Sequence, residues 1–211
     1  MPFYTKEVYI LSIKKNETEW DKKLKIQTNG RDDYGADQYH FPYEPTPYVV
    51  LERLAESGYI NVENKLVDYG CGKGRVGFYL SYVKGCYTIG IEYDKRICEY
   101  AWQNQKSYIG KRNVEIFCMD AEAYEIENAD CFYFFNPFSV EILRSVIGQI
   151  LNSYYSNPRQ IRLFFYYPND DYVAYLMSEN VLEYIGEIDC RDLFPGNNER
   201  ERIMVYGMDK I

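Results

Sequence analysis

From Lys65 onward the chain alternates short apolar runs with longer stretches in which apolar residues recur every three or four positions. Lys65 to Tyr69 reads as a strand, Gly74 to Lys84 as a helix stopped at Gly85, and Tyr87 to Tyr93 as a second strand with Gly90 inside it. Lys95 to Ile109 has the helical period, with Asp94 as its cap and Gly110 as its stop. Asn113 to Met119 and the very apolar Ala129 to Asn136 are two more strands. Ser139 caps the clearest amphipathic helix, which carries Ile142, Leu143, Val146, Ile147, Ile150 and Leu151 on one face. Ile161 to Tyr167 is another buried strand, and a short helix follows over Asp171 to Ser178. Strands and helices alternating at these lengths predict a parallel sheet covered by helices on both faces.

Both ends depart from the alternation. Val181 to Leu193 and Arg202 to Met208 are strand-like on either side of the turn Pro195-Gly-Asn-Asn198, so the sheet is expected to finish in an antiparallel hairpin. At the other end, Glu7 to Ile13 and Leu24 to Thr28 read as two β-like runs around a charged turn. A stretch rich in Tyr, Asp and Gly follows from Gly30 to Tyr43. Thr46 as N-cap and Pro47 in the first turn open a helix that stops at Gly58. The expected organisation is a β-like arm with an aromatic segment over 1–43 and a main domain over 44–211, packed as one compact unit.

Composition narrows the chemistry. With 211 residues, 46% of them apolar, the chain can bury a full core. A net charge of −8 argues against a protein that grips nucleic acid by its backbone, and turns the expected partner toward a small molecule or a protein. The cysteines at 71, 86, 98, 118, 131 and 190 form no Cys-x-x-Cys pair and read as reduced core residues. His40 is the only histidine, so no zinc site or histidine-activated nucleophile is expected. No stretch is apolar enough to span a membrane and no signal peptide is legible, which reads as a cytoplasmic protein.

The chemistry-bearing segment is Asp68-Tyr-Gly-Cys-Gly-Lys-Gly74, where a strand end runs through three alternating glycines into a helix. Such glycines fit a backbone that turns tightly and lets a ligand lie directly on it. The run is ambiguous by itself, because Gly72-Lys-Gly-Arg-Val-Gly77 also satisfies the dinucleotide pattern and keeps an NAD(P)-dependent oxidoreductase open. Glu92 closes the second strand where a ribose diol would be bound, which suits either ligand. Asp120 closes the third strand, Asn136-Pro-Phe138 the fourth, and the hairpin stands where a dehydrogenase would continue its βαβ units.

On these residues the chain resembles the class I S-adenosylmethionine-dependent methyltransferases over residues 44 to 211. The family's glycine-rich motif matches Asp68, Gly70, Cys71, Gly72 and Gly74, its ribose-binding acid matches Glu92, and its adenine-edge acid matches Asp120. Its fourth-strand motif falls at Asn136, Pro137 and Phe138. The resemblance implies S-adenosyl-L-methionine as cofactor and a Rossmann-like, seven-stranded sheet whose last strand inserts antiparallel. It also implies that Asp68 organises the loop or accepts from the ammonium, that Ala121 helps fix the adenine, and that Tyr93 covers its face. In relatives that methylate amino nitrogens, Asn-Pro-Pro-aromatic holds the target; here one proline is missing and Ser139 follows at once.

Methyl transfer from a sulfonium is an in-line displacement that depends on positioning more than on a base. The segment Tyr39-His-Phe-Pro-Tyr-Glu-Pro-Thr-Pro-Tyr48 precedes the first sheet strand and can lie over the pocket as a lid, with Tyr39, His40, Tyr43 and Tyr48 as its candidates. Glu44 shares that segment. Tyr167, Asn169, Asp170 and Asp171 close the fifth strand at the same sheet edge. Lys73 and Arg75 flank the glycine loop and read as solvent-exposed. A cofactor-binding member of the fold without transfer activity is the third reading, since no residue stands out as a base.

Overall fold

The computed structural model describes residues 6–110 and 113–209, with side chains from residue 15 onward. Seven strands form one sheet: β1 Lys65–Tyr69, β2 Tyr87–Glu92, β3 Val114–Cys118, β4 Cys131–Phe134, β5 Ile161–Tyr166, β6 Glu183–Asp189 and β7 Arg202–Met208. Their order is β3-β2-β1-β4-β5-β7-β6. The first five run parallel, while β7 pairs antiparallel with both β5 and β6. This is the expected Rossmann-like sheet with an antiparallel terminal hairpin. Strand order reverses between β1 and β4, so the loops leaving their carboxyl ends diverge and open a crevice there.

Alternation along the strands fills two cores. Leu66, Tyr133, Phe164 and Val205 point to the layer that includes α2 Tyr48–Glu56 and α3 Arg75–Lys84. Val67, Phe132, Phe134, Leu163 and Phe165 point to α5 Val140–Ser156 and α6 Asp170–Ser178 on the opposite face. The stripe of Leu143, Val146, Ile147 and Ile150 on α5 is fully buried there. Between β2 and β3, α4 Lys95–Ser107 begins where the side chain of Asp94 accepts from the Arg96 N–H.

The N-terminal segment corrects the sequence reading. Glu7 to Ile13 is not β-like but lies in α1 Lys6–Leu24; residues 1–5 of the expected arm are outside the described residues. Glu17, Trp20, Asp21 and Leu24 recur at helical spacing and contact the body of the protein. Two of these four are acids, which is why hydropathy alone concealed the period. Glu17 accepts from the Tyr48 N–H at 2.8 Å and so satisfies the first turn of α2, the role expected of Thr46. Thr46 instead shares a hydrogen bond with the Tyr133 hydroxyl.

Leu24 to Thr28 also forms no strand. Leu24, Ile26 and Thr28 are buried in alternation, as the pattern implied, but no strand pairs with them: the Ile26 N–H donates to the Asp21 carbonyl at 2.9 Å, and side chains serve the next two residues. Asn104 accepts from the Gln27 N–H and donates to the Gln27 carbonyl, and Asp21 accepts from the Thr28 N–H. The buried carboxylate of Asp21 further accepts from the Thr28 hydroxyl, the Tyr48 hydroxyl and the Asn29 amide. Replacing it with alanine strands several buried donors, so Asp21→Ala is expected to destabilise the protein by about 2–4 kcal/mol in urea unfolding. Glu19→Ala, which removes an exposed i,i+4 pair with Lys15, should change stability by less than about 0.5 kcal/mol.

Candidate functional site

The loop leaving β1 owes its shape to its glycines. Gly70, Gly72 and Gly74 all have positive φ, at 69°, 56° and 87°, where any side chain is strained. Space is short as well: a Cβ on Gly70 would run into Pro137, and one on Gly72 into the ring of Tyr43. The turn is pinned to the neighbouring strand because the Gly70 and Cys71 N–H groups both donate to the Ile91 carbonyl, at 2.8 and 3.0 Å.

Glu92, at the end of β2, reaches back to this loop. One carboxylate oxygen accepts from the Gly72 N–H and the other from the Asp94 N–H, each at 2.9 Å, and each oxygen keeps a further lone pair. Asp68 is 3% exposed and its carboxylate finds no hydrogen-bond donor among the described residues. Burial, with Glu92 nearby, drives its pKa well above the ordinary carboxylate range. Burial also raises Glu92, although its backbone donors oppose the shift. The Cys71 thiol is pushed up by burial and by these two acids, so it is held neutral.

Most of these groups line one cavity at the crevice between β1 and β4, while Gly72 and Gly74 shape the loop without lining it. It brings together Asp68, Gly70, Cys71, Glu92, Tyr93, Asp120, Ala121, Asn136, Pro137 and Phe138 with His40 and Tyr43. Apolar walls come from Ile97, Met119 and Ile142, which no motif marked. Asp120 caps the short helical turn Ala121–Ala123 by accepting from the Glu122 N–H. Tyr39, Tyr48 and Tyr167 lie outside this cavity.

The residues after β4 are committed to the scaffold. The Asn136 amide donates to the Tyr167 carbonyl at 2.8 Å and accepts from the Asn169 N–H at 3.1 Å, joining the ends of β4 and β5. Both Asn136 and Tyr167 adopt positive φ there. Phe138 is 3% exposed and packs edge-on against Tyr69 and Phe134, so its ring belongs mainly to the core. Asn169 caps α6 by accepting from the Tyr172 N–H, and Asp170 and Asp171 sit in its first turn. Tyr167 lines a neighbouring groove beneath the Arg200 guanidinium, 4.5 Å from its ring centre.

Residues 28–46 form a roof over the cavity. Asp32 is bonded to both terminal nitrogens of Arg96 at 2.6 and 2.9 Å, which pulls its carboxyl down to about 2. The imidazole of His40 stacks on Tyr93 at 4.1 Å, with Nδ1 3.2 Å from Asp37. Backbone bonds from Phe41 N–H to the Pro137 carbonyl and from Ser139 N–H to the Tyr39 carbonyl fix the roof to the loop after β4. Glu44 is exposed and paired with Arg31. Tyr48, expected in the lid, is instead fully buried as the first residue of α2, with its hydroxyl on Asp21.

Arg75 reverses its expected exposure. At 2% exposed it is among the most buried side chains of the protein, whereas Lys73 is half-buried. A basic residue in the first turn of a helix opposes the helix dipole, and that mismatch was the available sign that something else held it.

No family model and no curated protein matches the chain. Solved structures do: an RNA methyltransferase from Salinibacter ruber, in complex with S-adenosyl-L-homocysteine, is similar over 80% of this chain and 95% of its own, with TM-score 0.54 and 19% identity. A TehB-like SAM-dependent methyltransferase from Corynebacterium glutamicum is similar over 93% and 97% of the two chains, with TM-score 0.56 and 18% identity. An rRNA methylase from Streptococcus thermophilus is similar over 80% and 98%, with TM-score 0.53 and 16% identity. The chain therefore shares the Rossmann-like fold of these solved structures.

Asp68 carries the clearest consequence for stability. A carboxyl whose pKa rises on folding favours the folded state at low pH, and that advantage is lost as pH climbs through the raised value. The free protein should therefore weaken as pH rises above the ordinary carboxylate range. Asp68→Asn should melt a few degrees higher than the parent at pH 7 to 8, with the gap closing toward pH 4. Thermal melts across that range check it; equal melting temperatures at neutral pH would refute the raised pKa.

Proposed function

We propose that the chain is an S-adenosylmethionine-dependent methyltransferase acting on a small-molecule or protein acceptor. The observation that carries this is Asp68: a buried carboxyl with no donor among the described residues, facing the same cavity as the glycine loop and Glu92. Such a group calls for a cation, and the ammonium of a bound amino-acid moiety supplies one. The free lone pairs of Glu92 suit a pair of ribose hydroxyls, and the walls formed by Ile97, Met119 and Ala121 suit a flat purine beside Asp120. S-adenosylmethionine, when bound, supplies an activated methyl group on a sulfonium.

The protein's part is to position. Pro137 lies against Gly70, so the loop after β4 and the glycine loop are held at a fixed distance. The roof excludes water above the cavity, which favours displacement over hydrolysis. The engagement of Asn136 with Tyr167 and Asn169, and the burial of Phe138, make these two residues supports of the acceptor side. The acceptor then meets Pro137 and His40. Two of the similar structures are RNA methylating enzymes. The net charge of −8 favours an acceptor smaller than a polynucleotide.

The oxidoreductase reading shares Glu92 and the glycine loop but has no use for an unpaired carboxylate beside a pyrophosphate. Two anions there would repel. S-adenosylhomocysteine at about 100 times its dissociation constant should stabilise the folded protein by about 2.7 kcal/mol. Glu92→Ala should abolish that stabilisation. A melting temperature indifferent to S-adenosylhomocysteine but raised by NADH would defeat the proposal.

A further inference from the structure

Arg75 occupies a position that the donor-binding reading leaves unexplained. It follows Gly74 directly, starts α3, lines the cavity, and yet is 2% exposed. A buried guanidinium is costly unless every donor is met, and here each nitrogen has a partner. Nε donates to the Thr28 hydroxyl at 2.7 Å, and one terminal nitrogen donates to Asn29 at 2.9 Å. The other donates to the Thr46 carbonyl at 3.1 Å and forms an ion pair with Glu17 of α1. Its face rests on the Tyr48 ring, 4.4 Å from the ring centre.

Those partners have a pattern. Thr28 and Asn29 begin the roof, and Thr46 ends it. Arg75 thus clasps both ends of the 28–46 segment and ties them to the residue immediately after the glycine loop. Two further contacts run between the same parts: the Lys73 ammonium donates to the Asn29 carbonyl at 3.1 Å, and Tyr43 lies against Gly72 while its hydroxyl donates to the Thr28 carbonyl. Roof and glycine loop are one mechanical unit, with Arg75 as its post. The outer contacts of the roof, Asp32 with Arg96 and His40 with Tyr93, lie in more exposed positions and are the ones able to part first.

We propose that Arg75 is a positioning residue of the donor site: by clasping both ends of the roof, it fixes the glycine loop and Tyr43 around the amino-acid end of the methyl donor. The proposal rests on the donor reading above. It assigns to Arg75 a directional role that a charge-preserving lysine cannot fill, because an ammonium has no planar fork to meet Thr28, Asn29, Thr46 and Glu17 together.

The test compares Arg75→Lys with the parent, using S-adenosylhomocysteine and 5′-methylthioadenosine, which lacks the amino-acid end, in calorimetric titrations well below the melting temperature. S-adenosylhomocysteine should bind about tenfold or more weakly to the variant, while 5′-methylthioadenosine changes by less than about threefold. Asn29→Ala, which removes one exposed-side partner and keeps the ion pair, should show the same selectivity at smaller amplitude; it serves if the lysine variant fails to fold. A lower melting temperature with both affinities unchanged would make Arg75 a core staple and overturn the proposal. Equal weakening of both ligands would overturn it too. Failure of the parent itself to bind S-adenosylhomocysteine would be a failure of the donor reading, visible before any variant is compared.

Discussion

The left-handed turn at the end of β1 is the constraint on which the remaining geometry hangs. Three positive-φ glycines let the chain reverse between a buried strand and a buried helix while its N–H groups stay turned toward β2. Because the turn is stripped of side chains, Pro137 can approach from β4 and Tyr43 from the roof. A single Cβ at either position would push apart the elements that enclose the cavity. Packing and site formation are therefore the same event here, rather than a scaffold with a site added to it.

Electrostatics follows from that enclosure. Closing the crevice desolvates Asp68 and Glu92 together, which raises both and stores an unfavourable interaction in the free protein. A cationic ligand relieves it. On the other side of the glycine loop the opposite choice is made, since Arg75 is buried with its partners already in place. One buried acid has no donor among the described residues, and one buried base has partners from α1 and the roof. On the proposed function, the first meets the ligand directly and the second positions the glycine loop around it.

Most of the fold was legible because its elements are local and strongly periodic. β1, β7 and the stripe of α5 fall where the hydropathy pattern put them, and Gly85 and Asp94 bound their helices as expected. The N-terminal helix was not legible because its inward face is built from Glu17 and Asp21, whose burial is sensible only once Arg75, Thr28 and Tyr48 are in place. For the same reason Arg75 read as a surface residue. At the cavity, motif spacing singled out Asp68, Gly70 and Glu92, which the fold brings to one crevice. It could not tell that Asn136 would be spent on Tyr167 and Asn169, or that Tyr48 would point into the core, since both depend on contacts distant in sequence.

On the proposed function, the crevice between β1 and β4 is shaped for a ligand with a cationic amino-acid end and a ribose. The most direct measurement is a crystal structure of the protein with S-adenosylhomocysteine. The ammonium should lie about 3 Å from the Asp68 carboxylate and the ribose hydroxyls at similar distance from Glu92. A ligand bound elsewhere, or one whose amino-acid end points away from Asp68 and leaves that carboxylate without a donor, would contradict it.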